Sequence, residues 1–214
     1  MSTTYPTATA EERETAIEAA ARAVQQGGLV ILPTDTVYGL ATTALHSDAV
    51  LNLYRLKNRP VTQPTALLAP NIDMLFELVP ELRGRAGLIV RSLLPGPYTL
   101  VLPNPARRYS WLTGTNYDAI GVRVPELPEP SAELLSRVSA LAVTSANLAG
   151  GPDPARVEDV PEQLKQAAAV VIDGGVLPGM PSTVLDFTGP EPRVIREGSA
   201  SAVEAIERAL AAVG

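Results

Sequence analysis

Short apolar runs and longer amphipathic segments alternate along the whole sequence, and this alternation limits the fold more than any other feature. Residues 29–32 and 141–144 are apolar runs with the length and composition of buried strands. Residues 10–26 instead repeat apolar side chains at helical spacing, behind a capping box formed by Thr9 and Glu12. Because strands and helices interleave in this way in α/β domains, we predict an α/β fold built on a twisted open mixed sheet.

The remaining elements are predicted from the same patterns and from the positions of proline and glycine. Further helices are predicted near residues 47–57 with Ser47 as the cap, at 72–78, 82–93 and 131–138, from Pro161 onwards, and at 201–213. Further strands are predicted at residues 66–69, 98–102, 120–124, 170–173, 183–187 and 194–196, and residues 103–118 are predicted to form a loop. The sequence shows neither an internal repeat nor a linker long enough to divide it, so we predict one domain.

Composition excludes several classes of function. The sequence contains no cysteine and a single histidine, His46, which excludes disulfides, thiolate nucleophiles and clusters of Cys or His ligands around a metal. Any metal is therefore expected to arrive with a substrate. The 17 Lys and Arg residues against 23 Asp and Glu give a net charge of −6, so we expect no stable direct binding to nucleic acid. No run approaches the roughly 18 apolar residues of a membrane span, and no signal-like segment begins the sequence, so we expect a cytoplasmic protein without a membrane partner.

Polar side chains gather beside apolar runs in three places, at residues 34–38, 145–147 and 182–183. The first two segments follow predicted strands, and ligands of open α/β sheets occupy the crevice at the carboxyl ends of strands. The alternative for each segment alone is that short hydroxyl and amide side chains satisfy backbone groups where a strand becomes a turn. The coincidence of several such segments favours a binding cleft.

Three cations stand out by their positions. Lys57 and Arg59 bracket one residue before Pro60, and the extended geometry favoured before proline could direct both side chains towards one anion. The alternative is that Lys57 complements a helix C-terminus while Arg59 is solvated. Arg123 lies inside the apolar pattern of residues 120–124, where a charge must be paired or placed on an exposed face.

The glycine-rich loops that usually hold phosphates are missing. The sequence contains neither a Gly-x-x-x-x-Gly-Lys-Ser/Thr motif nor a Gly-x-Gly-x-x-Gly motif. A triphosphate would therefore be held by side-chain cations and hydroxyls. With one histidine and no cysteine, the sequence also gives no support for a hydrolase triad, so proximity and charge stabilisation are the expected means of catalysis.

An ordered set of short motifs resembles the YrdC-type threonylcarbamoyl-AMP synthases. The motifs are Pro33-Thr34-Asp35-Thr36-Val37-Tyr38-Gly39-Leu40, Lys57-x-Arg59-Pro60, Pro95-Gly96-Pro97-Tyr98-Thr99-Leu100, Val122-Arg123-Val124-Pro125, Ser145-Ala146-Asn147 and Ser182-Thr183-Val184. The resemblance covers about residues 25–200, and it rests on the order of the set, above all on Lys-x-Arg followed by Ser-x-Asn. It implies a single YrdC-like domain over residues 1–214, with helices around a concave cleft and without the additional C-terminal domain of longer relatives.

The resemblance also implies a reaction and a set of ligands. Threonine takes up bicarbonate at its amino group, the carbamate attacks the α-phosphorus of ATP, and pyrophosphate leaves. The product, threonylcarbamoyl-adenylate, would pass to proteins that transfer the threonylcarbamoyl group to adenosine in tRNA. Magnesium is expected to enter with ATP, and no metal is expected to bind to the protein alone.

Roles carry over from the family motif by motif. ATP and its magnesium would be bound by Lys57, Arg59, Ser145, Asn147 and Arg196, with Lys57 and Arg59 also acting in catalysis. Threonine would be held by Thr36, Arg123 and Ser182.

The sequence departs from the family pattern at three positions. Thr65 and Leu68 lie where many members have Pro-Leu-x-x-His, and Asp153 lies where serine is common after Ser-x-Asn. Leu68 removes one expected contact to threonine, which leaves the selectivity for the amino acid open. Two alternatives remain at this point, namely a YrdC-like RNA-binding or ribosome-associated protein without synthase activity, and a carbamoyl-transferring enzyme with another acceptor amine.

Overall fold

A computed structural model describes residues 3–214 as an α/β fold with an open ten-stranded mixed sheet. The strands are β1 (Thr3–Tyr5), β2 (Val30–Pro33), β3 (Tyr38–Thr43), β4 (Ala66–Leu68), β5 (Tyr98–Pro103), β6 (Ala119–Arg123), β7 (Leu141–Ser145), β8 (Val170–Ile172), β9 (Thr183–Asp186) and β10 (Arg193–Arg196). The α-helices are α1 (Ala10–Gln25), α2 (Ser47–Leu56), α3 (Ile72–Leu78), α4 (Gly84–Leu93), α5 (Glu129–Val138), α6 (Glu162–Ala167) and α7 (Ala202–Val213). This architecture confirms the predicted fold class.

The strand order places two of the three predicted polar segments at one edge. The order across the sheet is β1-β8-β2-β3-β7-β4-β6-β5-β9-β10. Strand β3 is antiparallel to both β2 and β7, so β2 and β7 run in the same direction. Their carboxyl ends therefore lie on the same edge of the sheet, as expected for the segments after residues 33 and 144.

The two faces of the sheet are covered unequally. One face, which carries Ile31 and Leu100, packs against α2, α3, α4, α6 and α7 in the larger hydrophobic cluster. The opposite face carries Val30 and Leu141, and α1 and α5 cover only this part of it through residues such as Val24. The remainder of that face has no helix over it among the described residues, and it forms the floor of a cleft.

Helix starts agree with the sequence where the capping pattern is complete. The backbone N–H of Glu12 donates to Thr9 Oγ1 over 3.1 Å, and Thr9 N–H donates to a carboxylate oxygen of Glu12 over 2.8 Å, which confirms the capping box of α1. Ser47 was a wrong choice of cap for α2. His46 occupies that position, and Ser47 is the first residue inside the helix.

Two strands differ from the sequence prediction. Residues 38–43 form β3, although the segment up to Gly39 was predicted only as the polar exit from β2. Its small residues Gly39 and Ala41 hide the strand signal, because β3 is buried on both faces and shows no alternation of apolar and polar side chains. β1 was missed because Thr3–Tyr5 is a short and largely polar edge strand.

Candidate functional site

The uncovered part of the sheet forms the floor of a cavity of about 650 Å³. Small residues on strands of this part of the sheet make the room, namely Gly39 on β3, Ala66 on β4 and Gly121 on β6. Their side-chain positions alternate with residues that face the core, so the cavity follows directly from the pleat of the strands. The polar groups that line it come from the strand ends and from the connections between them.

A hydrogen-bonded turn joins β2 to β3 at the edge of this cavity. The hydroxyl of Thr34 donates to the carbonyl of Val37 over 2.6 Å and lies 3.0 Å from the hydroxyl of Thr36. Because Thr34 has only one hydroxyl proton, Thr36 must be the donor in the hydroxyl pair. Thr36 Oγ1, which lines the cavity, is therefore left with lone pairs and acts towards a ligand as an acceptor.

The ammonium group of Lys57 lies behind the cavity wall and holds the end of β7. Its Nζ donates to Ser145 O over 2.6 Å, to Asn147 Oδ1 over 2.9 Å and to Thr144 Oγ1 over 3.1 Å. All three N–H donors are thus engaged within the protein. The pKa of Lys57 is lowered from 10.5 to about 8, chiefly by burial and also by Arg59, whereas Asp153 acts in the opposite sense.

The side-chain amide of Asn147 is saturated in the same network. Its Oδ1 accepts from Lys57 Nζ and, over 2.8 Å, from the hydroxyl of Ser145. Its Nδ2 donates to Gly151 O over 2.7 Å and to Asp153 Oδ1 over 3.1 Å. Asn147 and Lys57 therefore shape the loop after β7, and Ser145 is the member of this group that lines the cavity.

Arg59 reaches the cavity from the other side of Thr144. Its Nη1 donates to Thr144 Oγ1 over 3.0 Å and its Nη2 to Pro64 O over 2.5 Å, whereas Nε is buried without a partner among the described residues. Asn58 adopts a left-handed φ of 52°, which turns the chain so that Lys57 and Arg59 meet at the same hydroxyl. The two cations thus converge on the hydroxyl of Thr144, and their predicted convergence on an anion stays a prediction.

A second group of polar residues lines the opposite wall. Arg196 donates from Nη2 to Ser182 O over 2.8 Å and to Ser182 Oγ over 3.2 Å, and the hydroxyls of Ser182 and Thr99 lie 2.9 Å apart. Burial lowers the pKa of Arg196, Asp153 opposes this, and Arg123 contributes to the lowering. Arg196 therefore lies close enough to Asp153 and to Arg123 for both charges to act on it.

Arg123 forms a buried ion pair at the end of β6. Its Nη2 lies 2.9 Å from each carboxylate oxygen of Asp35, and the two side chains are only 9% and 10% exposed. The expectation that a charge in this strand must be paired is thus correct. Asp35 was not among the predicted site residues, because a partner 88 positions away gives no local signal.

The predicted site residues assemble around one cavity. Thr36, Arg59, Arg123, Ser145, Ser182 and Arg196 line it, and Lys57 and Asn147 lie immediately behind it. Leu68 does not line it, since its side chain packs with Leu134 in the cluster under α5. Sequence reasoning missed Thr99 and Thr144, whose roles depend on which strands are neighbours.

The charges around the cavity contrast with the acidic protein as a whole. Four cations, Lys57, Arg59, Arg123 and Arg196, surround it against the two carboxylates that line it, Asp153 and Asp186, in a chain with a net charge of −6. Within residues 3–214, no group of three or more histidine and carboxylate side chains is arranged to hold a metal ion. The geometry therefore defines an α/β protein with a cationic cleft suited to small anionic ligands.

Other surfaces of the described chain give weaker indications of a binding site. Arg107 and Arg108 stand beside Tyr109 and Trp111 in the sequence, a pattern that nucleic-acid-binding loops can show. They are paired with Asp118 over 2.9 Å and with Glu81 over 2.7 Å. These pairs favour the interpretation of residues 103–118 as a surface loop. Helices long and apolar enough to span a bilayer are absent from the described residues.

Comparison with known proteins gives the family. The profile of the Sua5/YciO/YrdC family, described as Telomere recombination, matches residues 22–198. A Mycobacterium tuberculosis protein is 35% identical over 202 residues, which are 94% of this chain and 92% of its own. The threonylcarbamoyl-AMP synthase of Pyrococcus abyssi is 34% identical over 197 residues, which are 91% of this chain and 57% of its own.

A solved structure agrees with this assignment. The crystal structure of P. abyssi Sua5 complexed with L-threonine superposes with a TM-score of 0.85 at 31% identity, covering 97% of this chain and 60% of that chain. The present chain thus spans a little over half of the archaeal protein and nearly all of the mycobacterial one. It belongs to the Sua5/YciO/YrdC family.

Proposed function

We propose that the protein is a threonylcarbamoyl-AMP synthase, which converts L-threonine, bicarbonate and ATP into threonylcarbamoyl-adenylate and pyrophosphate. The observation that carries this proposal is a single cavity surrounded by hydroxyls and four cations. The chain belongs to a family whose named members include this enzyme. Threonine, bicarbonate and ATP all carry negative groups, so fixed cations reduce their mutual repulsion and set their orientation, and water leaves with pyrophosphate as the second by-product. A nucleotidyl transfer of this type needs no covalent intermediate with the protein.

The nucleotide would bind along the wall that carries Arg59, Ser145 and Arg196. The guanidinium of Arg59 has a buried Nε without a partner among the described residues, and Arg196 holds Ser182 at the rim. Both can donate further hydrogen bonds to phosphate oxygens. Lys57 and Asn147 would act from behind, since their hydrogen bonds keep the loop after β7 in place. Charge from Lys57 at short range would add to the stabilisation of the phosphates.

Threonine would bind between the β2–β3 turn and β6. Arg123 offers a guanidinium for its carboxylate, and Thr36 offers an acceptor for its amino or hydroxyl protons. Ser182 completes this wall through its hydroxyl, which lies 2.9 Å from that of Thr99. This arrangement would place the amino group near the phosphates, so that the carbamate formed with bicarbonate could attack in line.

Magnesium would enter as part of the ATP complex. Magnesium keeps several water ligands and is commonly held by substrate phosphates with one or two carboxylates. The carboxylates that line the cavity among the described residues are Asp153 and Asp186. The product would then serve proteins that transfer the threonylcarbamoyl group to tRNA.

The proposal is tested by measuring pyrophosphate release with each reactant omitted in turn. We expect release only when ATP, magnesium, bicarbonate and L-threonine are all present, and mass spectrometry should detect threonylcarbamoyl-adenylate. L-Serine, L-valine and L-allo-threonine serve as matched amino acids, because each differs from L-threonine in one group or one stereocentre.

The possible outcomes separate the candidate functions. Release without any amino acid would refute the synthase assignment. A stronger reaction with another amine would instead favour a carbamoyl-transferring enzyme with a different acceptor.

A further inference from the structure

Asp35 is the central residue of the β2–β3 turn, and its carboxylate is directed away from solvent towards Arg123. Its side chain is 10% exposed, and both of its oxygens lie 2.9 Å from the same nitrogen, Arg123 Nη2. Asp35 itself does not line the cavity, whereas Arg123 does. The pair therefore places the carboxylate behind the guanidinium as seen from the cleft.

The turn that carries Asp35 is held on both sides. The hydroxyl of Thr34 accepts from the N–H groups of Thr36 and Val37, over 3.1 Å and 3.2 Å, and donates to the carbonyl of Val37. This arrangement closes the turn around Asp35. The carboxylate is thus presented from a defined backbone position, and it can fix the guanidinium that it contacts.

Arg123 keeps donors that the ion pair does not use. All of its hydrogen bonds to described residues run through Nη2, and Nε is buried without a partner. A buried N–H without a partner is costly unless a ligand or water satisfies it. A pair that engages one nitrogen restrains the side chain, and it leaves Nη1, which is neither paired nor buried among the described residues, for an acceptor in the cavity.

We propose that Asp35 is a positioning residue, which holds the guanidinium of Arg123 in the orientation that receives the carboxylate of the amino-acid substrate. The proposal rests on the proposed function, because it concerns the threonine subsite of the same cleft. An arginine side chain has several rotatable bonds, and restraining them before the ligand arrives reduces the entropy lost on binding. Asp35 would then act on affinity for the carboxylate without touching the substrate.

The test compares two ligands that differ in the relevant group, L-threonine and L-threoninamide. Their ratio of dissociation constants, measured by calorimetry at saturating magnesium and non-hydrolysable ATP analogue, reports how much the substrate carboxylate contributes. We expect the wild-type protein to prefer L-threonine by at least about tenfold, as for a charge-assisted hydrogen bond. Asp35→Asn, which keeps the shape and removes the charge, should reduce this preference by at least about threefold.

Arg123→Ala completes a double-mutant cycle. This variant should lose the preference for L-threonine, and adding Asp35→Asn to it should cause no further change in the ratio. Glu81→Gln is the matched control, because Glu81 is the partly buried carboxylate of a different ion pair, with Arg108 over 2.7 Å, and it does not line the cavity. The control should retain the wild-type ratio.

Each alternative has its own outcome. A purely structural role for Asp35 predicts that both ligands weaken equally in Asp35→Asn, and a carboxylate that competes with the substrate predicts a larger preference for L-threonine. Either result overturns the proposal. If the wild-type protein does not bind L-threonine, the proposed function itself fails. An unchanged ratio in Arg123→Ala would exclude Arg123 as the anchor and Asp35 as its positioning residue, and it would leave the proposed function standing.

A measurement on the wild-type protein covers the case in which Asp35→Asn does not fold. Nitrogen-15 NMR of the guanidinium of Arg123, assigned from its loss in Arg123→Lys, reports rotation about the Cζ–Nε bond. We expect separate Nη signals before L-threonine is added, because Asp35 restrains Nη2, and a shift of the Nε–H signal upon addition. A single averaged Nη signal in the ligand-free protein would contradict a held guanidinium.

Discussion

Replacing Lys57 by methionine should make the stability of the protein depend on pH in a new way. Lys57 is 3% exposed, and its pKa is lowered from 10.5 to about 8, first by burial and then by Arg59, against the influence of Asp153. Methionine has a similar length, carries no charge and packs readily in irregular surroundings. The substitution therefore removes both the titrating group and the cost of burying its charge.

The sign follows from the two pKa values. Because the folded-state value is the lower one, the unfolded chain binds more protons between about pH 8 and about pH 10.5, and wild-type stability rises with pH in that window. The cost of the buried ammonium is about 3 kcal/mol at pH 7 and about 1.5 kcal/mol at pH 9.5 when both pKa values are used. Relative to Lys57→Met, the wild type should thus gain about 2 kcal/mol between these conditions.

At neutral pH the two proteins should have comparable stabilities. The variant avoids the buried charge, but it leaves Ser145 O without its 2.6 Å donor, and an unsatisfied buried acceptor costs about 1–3 kcal/mol. Thr144 Oγ1 and Asn147 Oδ1 keep donors from Arg59 and Ser145, so they add less to the loss. The two effects oppose each other, and we expect the variant to fold.

Urea unfolding of both proteins at the two pH values measures this difference. The comparison between proteins cancels the titration of every group that the substitution does not affect. Parallel changes in stability, within about 0.5 kcal/mol, would show that the pKa of Lys57 is not depressed and that its burial carries no electrostatic cost.

Two further substitutions test the cavity. Arg59→Ala should weaken binding of ATP by at least about tenfold through loss of charge-assisted hydrogen bonds, whereas Arg107→Ala, which removes an exposed surface pair, should leave calorimetric affinity unchanged. Equal affinities in the two variants would exclude Arg59 from the nucleotide site. Gly39→Ala should destabilise the fold by roughly 1–3 kcal/mol in urea unfolding, because its Cβ would lie 2.7 Å from a methyl group of Val143. Gly121→Ala is the control, since its Cβ would meet no atom closer than 3.7 Å, and a similar loss there would contradict the steric explanation.

The parts of the fold that the sequence predicts well are those with local causes. The helix α1 combines a capping box with apolar residues at helical spacing, and both signals lie within 17 residues of Thr9. β2 and β7 are short apolar runs followed by hydroxyl residues. The sequence alone could therefore suggest that their polar exits lie at the same edge of the sheet. β3 could not, because its residues are buried on both faces only after β2 and β7 enclose them.

The same distinction applies to the candidate site. Lys57 and Arg59 could be paired from their spacing, yet the burial of Lys57 depends on acceptors about 90 positions further along the chain. Asn58 supplies a turn with positive φ between them, and asparagine is one of the few residues besides glycine that tolerate this conformation. The sequence therefore contains the turn that brings Lys57 and Arg59 together, but the group that they contact is known only once β7 is placed.

The ion pair between Asp35 and Arg123 combines signals that are local in the sequence with a contact that only the fold creates. A charged residue within an apolar strand pattern signals that a partner must exist, and an acidic residue in a turn of hydroxyl residues signals an available carboxylate. Neither signal identifies the other, because β2 and β6 are separated in the sheet by three intervening strands. Only the sheet order brings them together, and it does so at the wall of the cationic cavity. A buried pair is weak evidence for stability, so its position beside the cavity, with Nε still unpartnered, is the stronger reason to assign it to the binding of substrate.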